Sequence, residues 1–263
     1  MRRALIAAAA LAAACGPAAP PRAPANAGVG PVDAPVAEPD GVVVLDAGAA
    51  PRRPLRYQIA AGTTRHATYH ARTAVAGAAP VDIDLTWTYG FARAGDDAVV
   101  TLTLGPTALP VPAGASGSWR LGPGGRHAAA PADNAGRVIL QQTQAEHMLP
   151  VVPAAAIGVG ARWTAPMAIS GGLGEAPMAG LATWTLVTRT ATTAVARATI
   201  DVPPTAMSAG DAAPTMRGHG TVDARVDLAA YTATATMHLT FTVDRGDGAA
   251  APMADIAIDL RIE

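Results

Sequence analysis

The chain has no lysine, a single cysteine, four tryptophans, four tyrosines and two phenylalanines in 263 residues. Each scarcity closes a route. One cysteine cannot form an internal disulfide, so the fold must rest on a packed core and not on crosslinks. The serines are Ser116, Ser118, Ser170 and Ser208, and none sits in a GxSxG elbow, which removes the nucleophile of that hydrolase class. The glycines around Gly158 and Gly160 complete neither GxGxxG nor a phosphate loop, so nucleotide binding by those routes is excluded. Aromatics are too few to build the two girdles of a membrane-spanning barrel. The longest apolar run, Ala4 to Ala14, is too short to cross a hydrocarbon core of about 30 Å as a helix.

The choice of basic residue is equally one-sided, although the charge is nearly balanced. All 19 basic residues are arginine, against 20 acidic ones, for a net charge of −1. Together with the dominance of alanine this reads as the codon bias of a GC-rich genome, so the arginine excess alone is no sign of phosphate recognition. No basic run is interleaved with aromatics, and nucleic acid is not an expected partner.

Arg2 and Arg3 ahead of the apolar run predict a secretory signal over residues 1–14. LAAAC at 11–15 resembles the cleavage box of bacterial lipoprotein precursors, with Leu11 one position farther from the cysteine than in that pattern. The resemblance implies an acylated Cys15 as first residue of the mature chain, hence an exported protein lipid-anchored to the outer membrane, on its periplasmic or surface face. Each buried CH₂ of such an anchor contributes about 0.8 kcal/mol. Residues 15–40, rich in Pro, Ala and Gly, cannot bury enough surface to offset their ordering entropy and predict an extended tether. A single β-rich domain is expected over 41–263.

Alternation is the dominant signal of that domain. In VDIDLTWTYGF, Val81, Ile83, Leu85, Trp87, Tyr89 and Phe91 take one side, and Asp82, Asp84, Thr86 and Thr88 the other. TATATMHLTFTVD and the C-terminal run from Ala254 to Ile262 repeat the pattern, and weaker copies cover 65–73, 98–104, 163–169, 181–189, 194–202 and 221–228. Short turn-rich joints require antiparallel pairing. The expected class is therefore mainly β: a large antiparallel twisted sheet, a half-barrel or a sandwich. One segment departs from it. Asp133 as cap and Ala135, Val138, Ile139, Gln142, Ala145, Met148 and Leu149 at spacings of three and four predict a short helix before Pro150, placed to cover one opening of the sheet.

Trp87 and Trp184 are 97 residues apart, as are Arg65 and Arg162, which raises two similar β units, about 55–130 and 155–263, on either side of that helix. The small apolar side chains leave two options open: layers that pack closely, or a hollow that an apolar ligand fills.

The candidate sites read as surface. His66 and His70 on a strand are roughly 13 Å apart, too far to share one metal ion. His127, His147, His219 and His238 have no carboxylate or cysteine at chelating spacing, so no metal and no cofactor is expected. Asp82 and Asp84 share a Thr-rich wet face and read as solubilising charge, not as an acid/base pair. Arg245, Gly246 and Asp247 spell RGD but also make good turn chemistry.

LPVVPAAAIGVGARW, from Leu149 to Trp163, resembles a segment of a family of uncharacterised secreted and lipid-anchored bacterial proteins. Pro54 to Tyr57 fits that family's PLRY-like first strand, and Arg261 to Glu263 its terminal strand. The resemblance implies no catalytic residues; Gly158 and Gly160 would bend the chain and Trp163 pack behind them. The expected function is non-catalytic: a cell-envelope lipoprotein binding an apolar ligand or a protein partner, or else a purely structural or interaction module with a filled core. No particular ligand-binding residues are indicated.

Overall fold

A computed structural model of the 263-residue chain describes residues 36–37, 41–95, 97–107, 114–126, 145–169, 178–207, 214–244, 246 and 250–263. The signal and Cys15 lie outside the described residues. Twelve strands are seen: β1 (Val36–Ala37), β2 (Val43–Asp46), β3 (Thr64–Val75), β4 (Val81–Ala94), β5 (Asp97–Leu104), β6 (Ser116–Leu121), β7 (Arg162–Ile169), β8 (Met178–Arg189), β9 (Thr193–Ala206), β10 (Thr215–Asp227), β11 (Thr232–Asp244) and β12 (Ala250–Ile262). The chain is mainly β, as the alternation requires. Residues 133–144 of the predicted helix lie outside the described residues; the remainder holds one 3₁₀ turn, Ala145–His147. Val36 and Ala37, inside the predicted tether, pair with Val44 and Val43.

All twelve strands form one antiparallel sheet in the order β1-β2-β7-β8-β9-β10-β11-β12-β3-β4-β5-β6. It consists of two meanders, β3 to β6 and β7 to β12, joined by the pairing of β12 with β3, where Ile258 stands opposite Ala71. This order forces two long crossings. The chain passes from β2, beside β7, to β3 in the sheet's other half, and returns from β6 to β7.

The sheet curls strongly. Tyr231, in the turn before β11, has its ring centroid 4.8 Å from that of Phe91 in β4. Three strand steps in a flat sheet would separate these strands by roughly 14 Å. Val42, just ahead of β2, and Arg120 in β6 line the same cleft, so the two ends of the strand order approach each other without pairing. The architecture is an open barrel with a seam.

Alternation follows from which side each residue takes. β10 runs buried and exposed with strict period two from Met216 to Val226. A closed eight-stranded barrel is just filled by its own side chains, and a wider one leaves a lumen. Here larger side chains fill most of the inward rows, but alanine recurs in part of them, at Ala67 and Ala71 of β3, Ala194, Ala196 and Ala198 of β9, Ala224 of β10 and Ala235 of β11. The two crossing segments occupy the space above them: Leu55 and Tyr57 from the first, Met148, Val152 and Ile157 from the second, all buried in one core with the strand residues. Where glycine stands inward, the neighbour is large. A Cβ at Gly218 would press on the ring of Phe241, its partner on β11.

The crossings are bound to each other and to the sheet by backbone hydrogen bonds. Arg53 and Ile157 exchange both N–H···O bonds at 3.1 and 3.2 Å, Ala49 N–H donates to Val159 O, and Gln58 N–H donates to Leu228 O. Arg189, at the end of β8, donates from Nη1 to the carbonyls of Arg53 (2.7 Å) and Ile157 (2.9 Å). Burial, and then the neighbouring Arg53 charge, lower its pKa. These bonds supply partners to chain that has no continuous strand ladder and that lies along the rim of the interior, with Leu55 and Tyr57 turned inward and Arg53, Arg56 and Gln58 exposed.

The proposed internal symmetry has a structural counterpart in part. β4 begins at Val81 and β8 at Met178, again 97 residues apart. The register differs: Trp87 stands opposite Ala67, whereas Trp184 stands opposite Trp163, with which it stacks at 6.5 Å.

Candidate functional site

The sequence LGPGGR at 121–126 ends β6 with a tight turn. Gly122 N–H donates to Arg126 O (3.1 Å) and Gly125 N–H to Gly122 O (2.9 Å). Gly125 has a φ of 82°, and a Cβ there would collide with the Tyr57 ring, so glycine is required for both conformation and space. The turn is tied to both crossings: Tyr57 N–H donates to Pro123 O and Val152 N–H to Gly124 O, each at 2.8 Å. Tyr57 Oη in turn donates to Pro150 O (3.1 Å).

This arrangement places Arg126 at the seam of the barrel. Its Nε and Nη2 are buried and have no hydrogen-bond partner. Buried donors without a partner are rare, and a guanidinium stays charged at any ordinary pH. Arg126 lines a cleft of about 260 Å³ together with Arg56 and Arg120, and with Val42, Leu55, Val151 and Val152 as apolar wall. An adjoining cleft of about 550 Å³ shares Arg56, Asp97 and Pro123 and adds Arg93. Four arginines thus line the two clefts beside one aspartate, Asp97, whose carboxylate lies 3.8 Å from Arg120. Arg93 is turned back on its own loop, Nε donating to Gly95 O.

The residues singled out by sequence lie elsewhere. His66 and His70 stand on the outer face of β3, where His70 Nδ1 is 2.9 Å from Asp84 and its Nε2 4.0 Å from Asp82. Asp82, Asp84 and His70 are brought together by the register of β3 with β4, but on open surface, as the sequence reading of solvated charge requires. His238 pairs with Asp255 (3.0 Å), and His219 lies beside Thr240. His147 contacts Ala168 O (2.7 Å). Among the described residues, no three His, Cys, Asp or Glu side chains are grouped to hold a metal ion, and no helix is long and apolar enough to cross a membrane. Ser118 Oγ is 2.7 Å from Thr101 Oγ1 on the outer face. His127, Ser170, Ser208, Arg245 and Asp247 lie outside the described residues.

Leu149 to Trp163 forms the second crossing and its return to β7. Gly160 takes a φ of 83°, and Trp163 is fully buried with Nε1 donating to Val151 O at 2.7 Å, so the reading as turn and core holds. Pro54 to Tyr57 is not a strand; it is irregular chain in the first crossing. Leu55 and Tyr57 turn inward and Pro54 and Arg56 outward, but Pro54 has no N–H and Tyr57 N–H bonds to Pro123 O of the turn after β6, so no strand ladder forms.

The arginine cleft carries no local sequence signature beyond the GPGG turn; Arg93 and Arg120 flank β5 through strand register, Arg126 follows β6 in its turn, and Arg56 joins them from the first crossing. No family model matches the chain, and neither the curated proteins nor the solved structures give a match.

Proposed function

We propose that the protein is a lipid-anchored cell-envelope protein whose open-barrel domain is a non-catalytic binding and interaction module. The observation that carries this reading is the filling of the interior by the chain's own crossings. Leu55, Tyr57, Val152 and Ile157 occupy the space that an apolar ligand takes in a hollow carrier of this plan. This favours the module with a filled core over the carrier. The absence of a family match leaves the resemblance at Leu149 to Trp163 as a reading of sequence only, and it is consistent with a structural role for that segment.

The anchor rests on LAAAC and the leader before it. Wild-type protein expressed in a bacterium with lipoprotein processing should enter the detergent phase in a cloud-point separation, and Cys15→Ser should stay in the aqueous phase. Wild type in the aqueous phase would remove the anchor from the proposal. Native mass spectrometry addresses the module: a clean protein mass is expected, and a bound lipid that survives desalting would restore the carrier.

A further inference from the structure

We propose that the seam cleft is a phosphate-binding site, with Arg126 as its inner donor and Arg56 and Arg120 at its rim. The inference deepens the binding-module reading, on which it rests, by naming the ligand class; it does not depend on the lipid anchor.

The number of arginines is not the argument, since arginine is the only cationic side chain besides histidine that this chain uses. Their arrangement is. The protein as a whole carries a net charge of −1, yet the linings of the two joined clefts hold four arginines and one aspartate. That local excess exceeds what one carboxylate ligand would neutralise and suits a phosphate group. Asp97 is directed at Arg120, at 3.8 Å, and leaves Arg126 and Arg56 uncompensated. Nε and Nη2 of Arg126 are the two donors on one edge of its guanidinium, the pair that grips two oxygens of one anion, and both are unpartnered. On the outer face the rule is different: Arg197 and Arg72 reach carboxylates of the adjacent strand. The cleft is built and not incidental, because the GPGG turn that positions Arg126 is locked to both crossings. Its remaining wall, Val42, Leu55 and Val152, is apolar and would face the organic part of a phosphoester.

Two sources present this group: a free phosphate or soluble ester, and the headgroup of an anionic phospholipid. Calorimetric titration of the full chain with inorganic phosphate, and separately with dihexanoyl phosphatidylglycerol below its micellar concentration, distinguishes them; dihexanoyl phosphatidylcholine is the zwitterionic control. Binding of either anionic probe is expected, weakened at least about tenfold in Arg126→Met and also in Arg56→Gln, and unchanged in Arg197→Gln on the outer face. Arg56 is exposed, so its variant remains informative if Arg126→Met does not fold. Saturation by phosphate alone assigns a soluble ligand, and tighter binding of phosphatidylglycerol assigns a headgroup. No binding of either probe overturns the site. So does binding that Arg126→Met and Arg56→Gln leave intact, or equal binding of both lipids. A failed detergent-phase test with phosphate binding retained would sink the anchor and leave the site standing.

Discussion

The outer face of the sheet and the space it encloses use similar polar chemistry under opposite conditions. Outside, charges meet across strands in water. Arg197 with Asp223 is an ion pair set by register with both partners exposed, where such pairs contribute roughly 0.2–1 kcal/mol, and His70 with Asp84 and His238 with Asp255 are cross-strand polar contacts with both partners about half exposed or more. At the rim of the enclosed space the half-buried Arg189 serves backbone carbonyls of two crossings that lie 136 and 32 residues away in sequence, and inside it Tyr57, Tyr231, Tyr89 and Phe91 form one aromatic cluster. Tyr231 adopts a φ of 53°, a left-handed conformation unfavourable for its side chain, and the burial of its ring in that cluster offsets the strain. Register alone builds the outer face. The interior depends on long-range closure.

If that contrast is right, interior substitutions should dominate. Trp163→Ala removes a fully buried ring that stacks on Trp184 and donates to Val151, and should cost about 3–5 kcal/mol in denaturant unfolding. A cost below about 1 kcal/mol would mean the crossings are not packed as described.

Alkaline pH tests the same interior without mutation. Burial raises the pKa of Tyr57, Tyr69 and Tyr231, with the nearby Tyr231 adding to the effect at Tyr57. Below a pH of about 10 both folded and unfolded chains keep these phenols protonated; above it the unfolded chain loses its protons first, so stability falls as pH rises, by about 1.4 kcal/mol per pH unit for each tyrosine. Phenolate absorbance should therefore appear together with unfolding. Titration of all three in the native protein would contradict their burial.

Arg189→Met keeps the length of the side chain and deletes two hydrogen bonds to the crossings, with an expected loss of about 1.5–3 kcal/mol and faster exchange of the Arg53 and Ile157 amides. The smallest effect belongs outside: a double-mutant cycle between Arg197 and Asp223 should give a coupling of about 0.2–1 kcal/mol that 0.5 M salt weakens. A coupling as large as the Arg189 effect would erase the distinction between the faces.

What could be read in advance follows the same division. The alternating runs that became β3, β4, β5 and β7 to β12 were legible because burial on one side imposes period two along the strand itself. β6 was not recognised: SGSWRL gives only Trp119 and Leu121 as buried anchors. β2 has one buried residue, Val44, and owes its place to pairing with β7. The assignment of Pro54 to Tyr57 as a strand failed because Leu55 and Tyr57 do alternate, but inward among turns. At the outer end of β4 the alternation overreached, since Val81 continues the apolar side yet is 50% exposed, beyond the covered part of the core. The arginine cleft was invisible, because its four arginines resemble the other fifteen until the chain brings Gly125 against Tyr57.

Sequence by itself determined β3 to β5 and β7 to β12, their antiparallel pairing within each meander, the wet and dry sides and the reliance on a core without disulfides, since each depends on neighbours a few residues away or on composition. Only the tertiary structure decided that β12 pairs with β3, that the sheet stops short of closing, that the interior is filled by its own connections, and that a set of arginines shares the seam. Those outcomes join groups up to 195 residues apart, as Ala67 and Ile262 are, and they follow from which surfaces fit once the sheet curls, a property that no local period encodes.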